Sequence, residues 1–161
     1  MGVALLVGLA GCSAGRPAGP APQATGPVDV PVPASRVVGV TRACAALVAR
    51  LPAELGPGIR RRPVTGDPGR TAAWGDPAIT LQCGVPRPDP AIEPLTIDGL
   101  AWAVKDVGAG QLWTTRDRAV AVSVRIGDGY EGQGELVVPL AAPVLATLPA
   151  ARTTPSPRRA P

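Results

Sequence analysis

Proline decides how much of this 161-residue chain is able to fold. Pro17, Pro20, Pro22, Pro27, Pro31 and Pro33 crowd residues 13–35 among Gly and Ala, with few side chains able to bury apolar area. Such a segment does not recover its ordering entropy and is expected to stay extended and mobile. In a polyproline-like form its twenty-odd residues reach up to about 70 Å, at ~3.1 Å each. The residues from 150 on are again rich in Pro and Arg. The foldable part is therefore 37–149, about a hundred residues, enough for a single core.

Residues 1–11 read M-G-V-A-L-L-V-G-L-A-G and run into Cys12. The run is too short to span a bilayer, which takes about 20 residues. It has the length of the apolar region of a secretory signal. Leu9-Ala10-Gly11-Cys12 resembles the lipobox of bacterial lipoproteins. That resemblance implies a diacylglyceryl group on the Cys12 thiol and cleavage just before it, after the small residues Ala10 and Gly11. Two acyl chains anchor stably where one binds only marginally. Secretory signals open on Lys or Arg, and nothing charged precedes Arg16, so the true start is expected upstream. The alternative is an apolar helix or strand with Cys12 as an ordinary thiol. N-myristoylation fits poorly, because Leu6 stands where that motif wants Ser or Thr. The chain is thus read as a signal peptide (1–12), a tether (13–36), one domain (37–149) and a disordered basic tail (150–161).

With Cys12 acylated, Cys44 and Cys83 remain, and an exported pair meets an oxidising compartment. A bridge between them would close a loop of about forty residues, worth roughly 3–4 kcal/mol by loop-closure entropy. Two buried free thiols or a metal pair are the alternatives, and two Cys without His make a poor metal site. The chain has no His at all, which removes the commonest general base and the commonest metal ligand. No metal and no cofactor are expected.

The formal net charge is +4, with Lys105 the only Lys among 16 basic residues, a bias that points first to a GC-rich genome. Inside the domain only Arg60, Arg61 and Arg62 cluster, and no aromatic residue interleaves them, so no nucleic-acid partner is expected. These three arginines are a candidate contact for anionic lipid, at about 1 kcal/mol each near the surface. A solvated loop is the plainer reading. Phe is absent, so core volume falls to Val, Leu, Ile and three Trp. Trp102 is expected in the core. Trp74 and Trp113 adjoin turns and are candidates for a ligand surface, with core packing the alternative. Asp67, Asp76, Asp106 and Asp117 sit mostly beside Gly or Pro, where Asp serves turns, and nothing in their spacing brings two together for glycoside hydrolysis. A Ser123–Lys105 nucleophile pair needs fortunate geometry.

Thr41 is the expected N-cap of a helix over 42–51, with Cys44, Leu47, Val48 and Leu51 on one face. Residues 53–73 read as loop or weak strand. Ile79, Leu81 and Cys83 alternate with Thr80 and Gln82, and Val120, Val122, Val124 and Ile126 alternate with Ala121, Ser123 and Arg125. Shorter strands are expected at 95–97, 100–107 and 112–115. Leu136, Leu140, Val144 and Leu148 recur every four residues, but Pro139 and Pro143 argue for a helix that restarts near Leu140. The expected fold is α+β. It has a small antiparallel sheet of three to five strands, with an N-terminal and a C-terminal helix packed on one face.

Ala72–Val85 (A-A-W-G-D-P-A-I-T-L-Q-C-G-V), with Gly99–Trp102, Leu112–Arg118 and Ala43–Pro52, resembles a family of small actinobacterial envelope lipoproteins classed as a domain of unknown function. The Trp-Gly-x-Pro-x-Ile…Cys-Gly element is its most specific part. The resemblance implies a structural Cys44–Cys83 pair and a lipid anchor, and lends no reaction, substrate or cofactor. The expected function is a non-enzymatic binding or accessory module on the outer face of the membrane. Its partners would be the membrane, through the lipid, and an envelope protein or ligand. The rivals are a wall-active hydrolase using acidic residues and a structural factor docked on anionic lipid.

Overall fold

The structure, a computed structural model, describes residues 24–31, 34–35 and 37–152. The expectations for the signal segment, for Cys12, for the tether up to residue 23 and for the tail from residue 153 lie outside the described residues. The elements run β1 (Val28–Val30), α1 (Val40–Val48), β2 (Arg61–Arg62), β3 (Val64–Gly66), β4 (Thr71–Trp74), β5 (Ile79–Val85), β6 (Pro94–Ile97), β7 (Leu100–Asp106), β8 (Gly110–Thr115), β9 (Ala121–Gly127) and α2 (Gln133–Thr147).

Seven strands form one antiparallel sheet in the order β2-β4-β5-β9-β8-β7-β6. The fold is mixed helix and sheet, as expected, but the sheet is larger than the expected three to five strands. The two additions escape an alternation test for different reasons. β2 has only two residues. All four residues of β4 are buried, so no polar residue marks a solvent side.

Register explains the core. Cys83 faces Val122 and Leu81 faces Val124, while Val124 in turn faces Trp113. Ala72 and Trp74 pair with Leu81 and Ile79, and Trp102 pairs with Thr115. These side chains share one face and merge into a single apolar cluster with Cys44, Leu47 and Val48 of α1 and Leu136, Val137, Leu140, Ala141 and Val144 of α2. Trp102 and Trp113 meet edge to face, with ring centroids 6.5 Å apart.

The Cys44–Cys83 disulfide joins α1 to the centre of β5, with Cα atoms 5.7 Å apart. Beside it the β5–β9 register slips by one residue between Cys83 and Val85. Gly84 occupies the slip at φ 85°, and a Cβ there would lie 2.6 Å from Val40 Cγ2. Only Gly lets the helix approach the strand this closely.

Three local expectations are corrected. α1 starts at Val40, before Thr41, because Gly39 takes the left-handed N-cap conformation and Val40 adds a buried side chain. α2 runs unbroken through Pro139 and Pro143. Each proline costs about 3 kcal/mol in a helix interior. Burial of Leu136, Val137, Leu140, Ala141, Val144 and Leu148 outweighs that cost, at roughly 1.5–3 kcal/mol for each large side chain. The tether was expected to stay extended and mobile, burying little, up to residue 36. Instead β1 pairs in parallel with β3, and Val30 is buried. At the other end, Ala151 donates to the Asp117 carbonyl at 2.9 Å, so the domain runs slightly past residue 149.

The disulfide closes a separation of 39 residues, so reduction should lower unfolding stability by about 3–4 kcal/mol. Urea denaturation with and without reductant measures this as a fall in the transition midpoint; equal midpoints would show the bond contributes nothing.

Candidate functional site

The strand alternation that buries one face of the sheet turns another set of side chains to the opposite face. Register arranges them in two transverse rows. Lys105, Leu112, Arg125 and Thr80 stand side by side on β7, β8, β9 and β5. The neighbouring row on the same strands is Ala103, Thr114, Ser123 and Gln82. Strand spacing of about 4.8 Å makes each row roughly 14 Å wide, and the rows lie about 7 Å apart.

Two walls rise from this floor, and each is held by arginine. Arg116 continues β8 and donates to the carbonyls of Ile92 and Pro90, which fixes the loop after β5. On the other side Arg62 donates to the Gly26 carbonyl and to the Gly75 carbonyl, the latter at 2.9 Å. The Gln82 amide donates to the Pro31 carbonyl. Residues 24–31 are thereby laid along the sheet. A cavity of ≈ 480 Å³ opens beneath the Arg116-held loop, lined by Ile92, Ala103, Lys105, Leu112 and Thr114 among others. A second of ≈ 310 Å³ lies next to Pro31 over Thr80, Gln82, Ser123 and Arg125, and Leu112 lines both.

Thr114 and Ser123 are 6% and 4% exposed, yet among the described residues their hydroxyls have no hydrogen-bond partner. Lys105 and Arg125 are exposed, and neither makes an ion pair among the described residues. Arg125 donates only a 3.4 Å bond to the Val107 carbonyl. Among the described residues the floor thus combines two cations without an ion pair, two hydroxyls without a protein partner and an apolar strip around Leu112.

The candidates named from sequence fall elsewhere. Trp74 is fully buried, and its indole donates to the Pro52 carbonyl at 3.0 Å. Trp113 is 4% exposed. Neither ring offers a ligand surface, because a chain without Phe uses both as core volume. The three arginines do not share one open charged face. Arg61 lies 5.8 Å from the Trp74 ring and donates to the carbonyls of Val48 and Leu51, closing the C-terminal end of α1. Burial lowers its pKa. Arg62 is a wall anchor, and the exposed Arg60 pairs with Glu54 at 3.0 Å. The short strand β2 explains this, since alternation sends Arg61 to one side and Arg62 to the other.

The four aspartates occupy separate turns and strand ends. Asp67 accepts from the Gly69 amide, Asp76 from the Ala24 amide and Asp106 from Gln111. Asp117 receives Ala151 at its backbone carbonyl. Among the described residues no three of Cys, Asp and Glu gather as a metal site. Asp76 also borders the Gly75–Ala78 turn, where Tyr130 donates to the Pro77 carbonyl at 2.6 Å. Burial, and then the Asp76 charge, raise the Tyr130 pKa. Ser123 and Lys105 stand on different rows, two strands apart, so no Ser–Lys pair forms.

The floor was partly visible beforehand. Thr80, Gln82, Ser123 and Arg125 are the polar members of two alternating strands. Their convergence depends on pairing β5 with β9 and β8, which local pattern does not reveal. Arg116→Ala should release the wall loop: amide exchange over residues 86–93 should speed up at least about tenfold, with global stability falling by less than about 2 kcal/mol. Unchanged exchange in the loop would show that Arg116 does not hold it.

A family described as a protein of unknown function (DUF3515) matches residues 1–153. No curated protein and no solved structure matches the chain. The matched span takes in Cys12, the disulfide pair and both walls of the groove, and the chain belongs to this family of proteins of unknown function, DUF3515.

Proposed function

We infer that this protein is a lipid-anchored extracytoplasmic lipoprotein, held on the outer face of a bacterial plasma membrane, whose domain is a non-enzymatic binding or accessory module of the cell envelope. The observation that carries this is Leu9-Ala10-Gly11-Cys12 at the end of a short apolar run, followed by a proline-rich segment. The disulfide in the core adds support, since such bonds persist in oxidising compartments and are rare in the cytosol. A high-Arg, low-Lys composition fits an actinobacterial source.

Binding is favoured over hydrolysis by what the polar residues do. The aspartates are engaged in turns and strand ends, whereas the groove floor offers cations without an ion pair and hydroxyls without a protein partner among the described residues. Docking on anionic lipid through Arg60, Arg61 and Arg62 loses its basis, because Arg61 and Arg62 are committed to backbone carbonyls.

Cells grown with radioactive palmitate should label the wild-type protein, and Cys12→Ser should abolish the label and release the protein from the membrane fraction. Equal labelling of the variant, or none in either, would contradict the anchor.

A further inference from the structure

The two rows on the open face of the sheet have a chemistry of their own, and it selects a class of ligand. One row sets a cation on each side of an apolar residue: Lys105, Leu112, Arg125. Across two strand spacings the two cations stand roughly 10 Å apart. The next row carries Thr114 and Ser123, residues more than nine-tenths buried whose hydroxyls still reach solvent and have no protein partner among the described residues. Such a hydroxyl can donate to or accept from a ligand without giving up a bond inside the protein. Ile92 and Ala103 add apolar wall and floor beside Leu112.

Several ligand classes fit this set poorly. Sugars are gripped by exposed ring faces, and all three Trp rings are buried. Phosphate sites converge several backbone N–H groups or cations on one small anion, and Lys105 and Arg125, roughly 10 Å apart, do not converge. Here the floor is the middle of an antiparallel sheet whose N–H groups serve the ladder. A short peptide with a free carboxyl end satisfies every part. Its carboxylate meets the Arg125 guanidinium in a two-pronged bond. Its amides reach the Thr114 and Ser123 hydroxyls, and small apolar side chains rest on Leu112 and Ile92. Adjoining cavities of ≈ 480 and ≈ 310 Å³ are of the size that holds a ligand of a few residues. Asp89 and Asp106 also line the larger cavity. Their charge disfavours a carboxylate in that cavity, which directs the ligand carboxylate to Arg125 in the adjoining one and leaves room for a peptide amine near the acids.

We propose that the groove over Lys105, Thr114, Ser123 and Arg125 is a binding site for a short, small-residue peptide bearing a free C-terminal carboxylate. This rests on the reading of the domain as a binding module and names its ligand class.

The test is calorimetric titration of the full-length chain in detergent with trialanine, with trialanine C-terminal amide and with inorganic phosphate. Trialanine should bind, and the amide at least about tenfold more weakly. Arg125→Gln should weaken trialanine binding by a similar factor. Ser123→Ala should weaken trialanine and its amide alike, because the hydroxyl contacts the peptide backbone. Arg125 is exposed at the surface, so its variant should keep the wild-type denaturation midpoint, which separates lost binding from lost folding. The proposal is overturned by an absence of trialanine binding at millimolar concentration. Equal affinity for acid and amide, or wild-type affinity in Arg125→Gln, overturns it too. Phosphate binding without peptide binding would equally overturn it, in favour of a simple anion site. Failure of any of these leaves acylation of Cys12 untouched, and an unacylated Cys12 leaves this groove untouched.

Discussion

The bond between Cys44 and Cys83 is the constraint on which the rest of the domain depends. It fixes α1 over β5, next to the point where the sheet's register slips. Only a residue without a side chain is tolerated at Gly84, because Val40 closes in from the helix. From that junction order spreads both ways. β5 pairs with β9, which aligns the valines of the core and, on the reverse side, the polar pairs Thr80–Arg125 and Gln82–Ser123. Packing on one face and chemistry on the other are two consequences of one register.

Arginine does the second half of the construction. In a chain with a single Lys and no Phe, guanidinium groups take on tasks often left to packing. Arg61 closes a helix end and covers an indole, Arg62 straps down the N-terminal arm, and Arg116 holds the loop on the far side. Each donates to backbone carbonyls, which suits a planar fork of donors and satisfies groups that turns leave without partners. The arginines that build the walls are those committed to the backbone. Arg125, on the floor, is left to face the groove.

Much of this was legible in the sequence, and the failures share a physical cause. β5 and β9 announce themselves because one side is buried and the other is not. β4 does not, because both of its sides are covered, and β1 was hidden in a proline-rich segment whose few apolar residues include a buried Val30. α2 was read as broken because proline costs are local, whereas the burial that overcomes them is tertiary. Trp74, Trp113, Arg61 and Arg62 were assigned outward roles from neighbouring turns and charge density. Strand direction, not composition, sends them inward or onto carbonyls. The groove floor needs the pairing of strands far apart in the chain, so single-strand alternation exposes its members but not their assembly.

The proposed anchor at Cys12 and the cross-linked core both presuppose life outside the cytosol. The most direct test is to quench intact cells in acid, alkylate free thiols and count the adducts on this protein by mass spectrometry. The account predicts that neither Cys44 nor Cys83 takes up the reagent until a reductant is added. Full alkylation of both without reductant would contradict it.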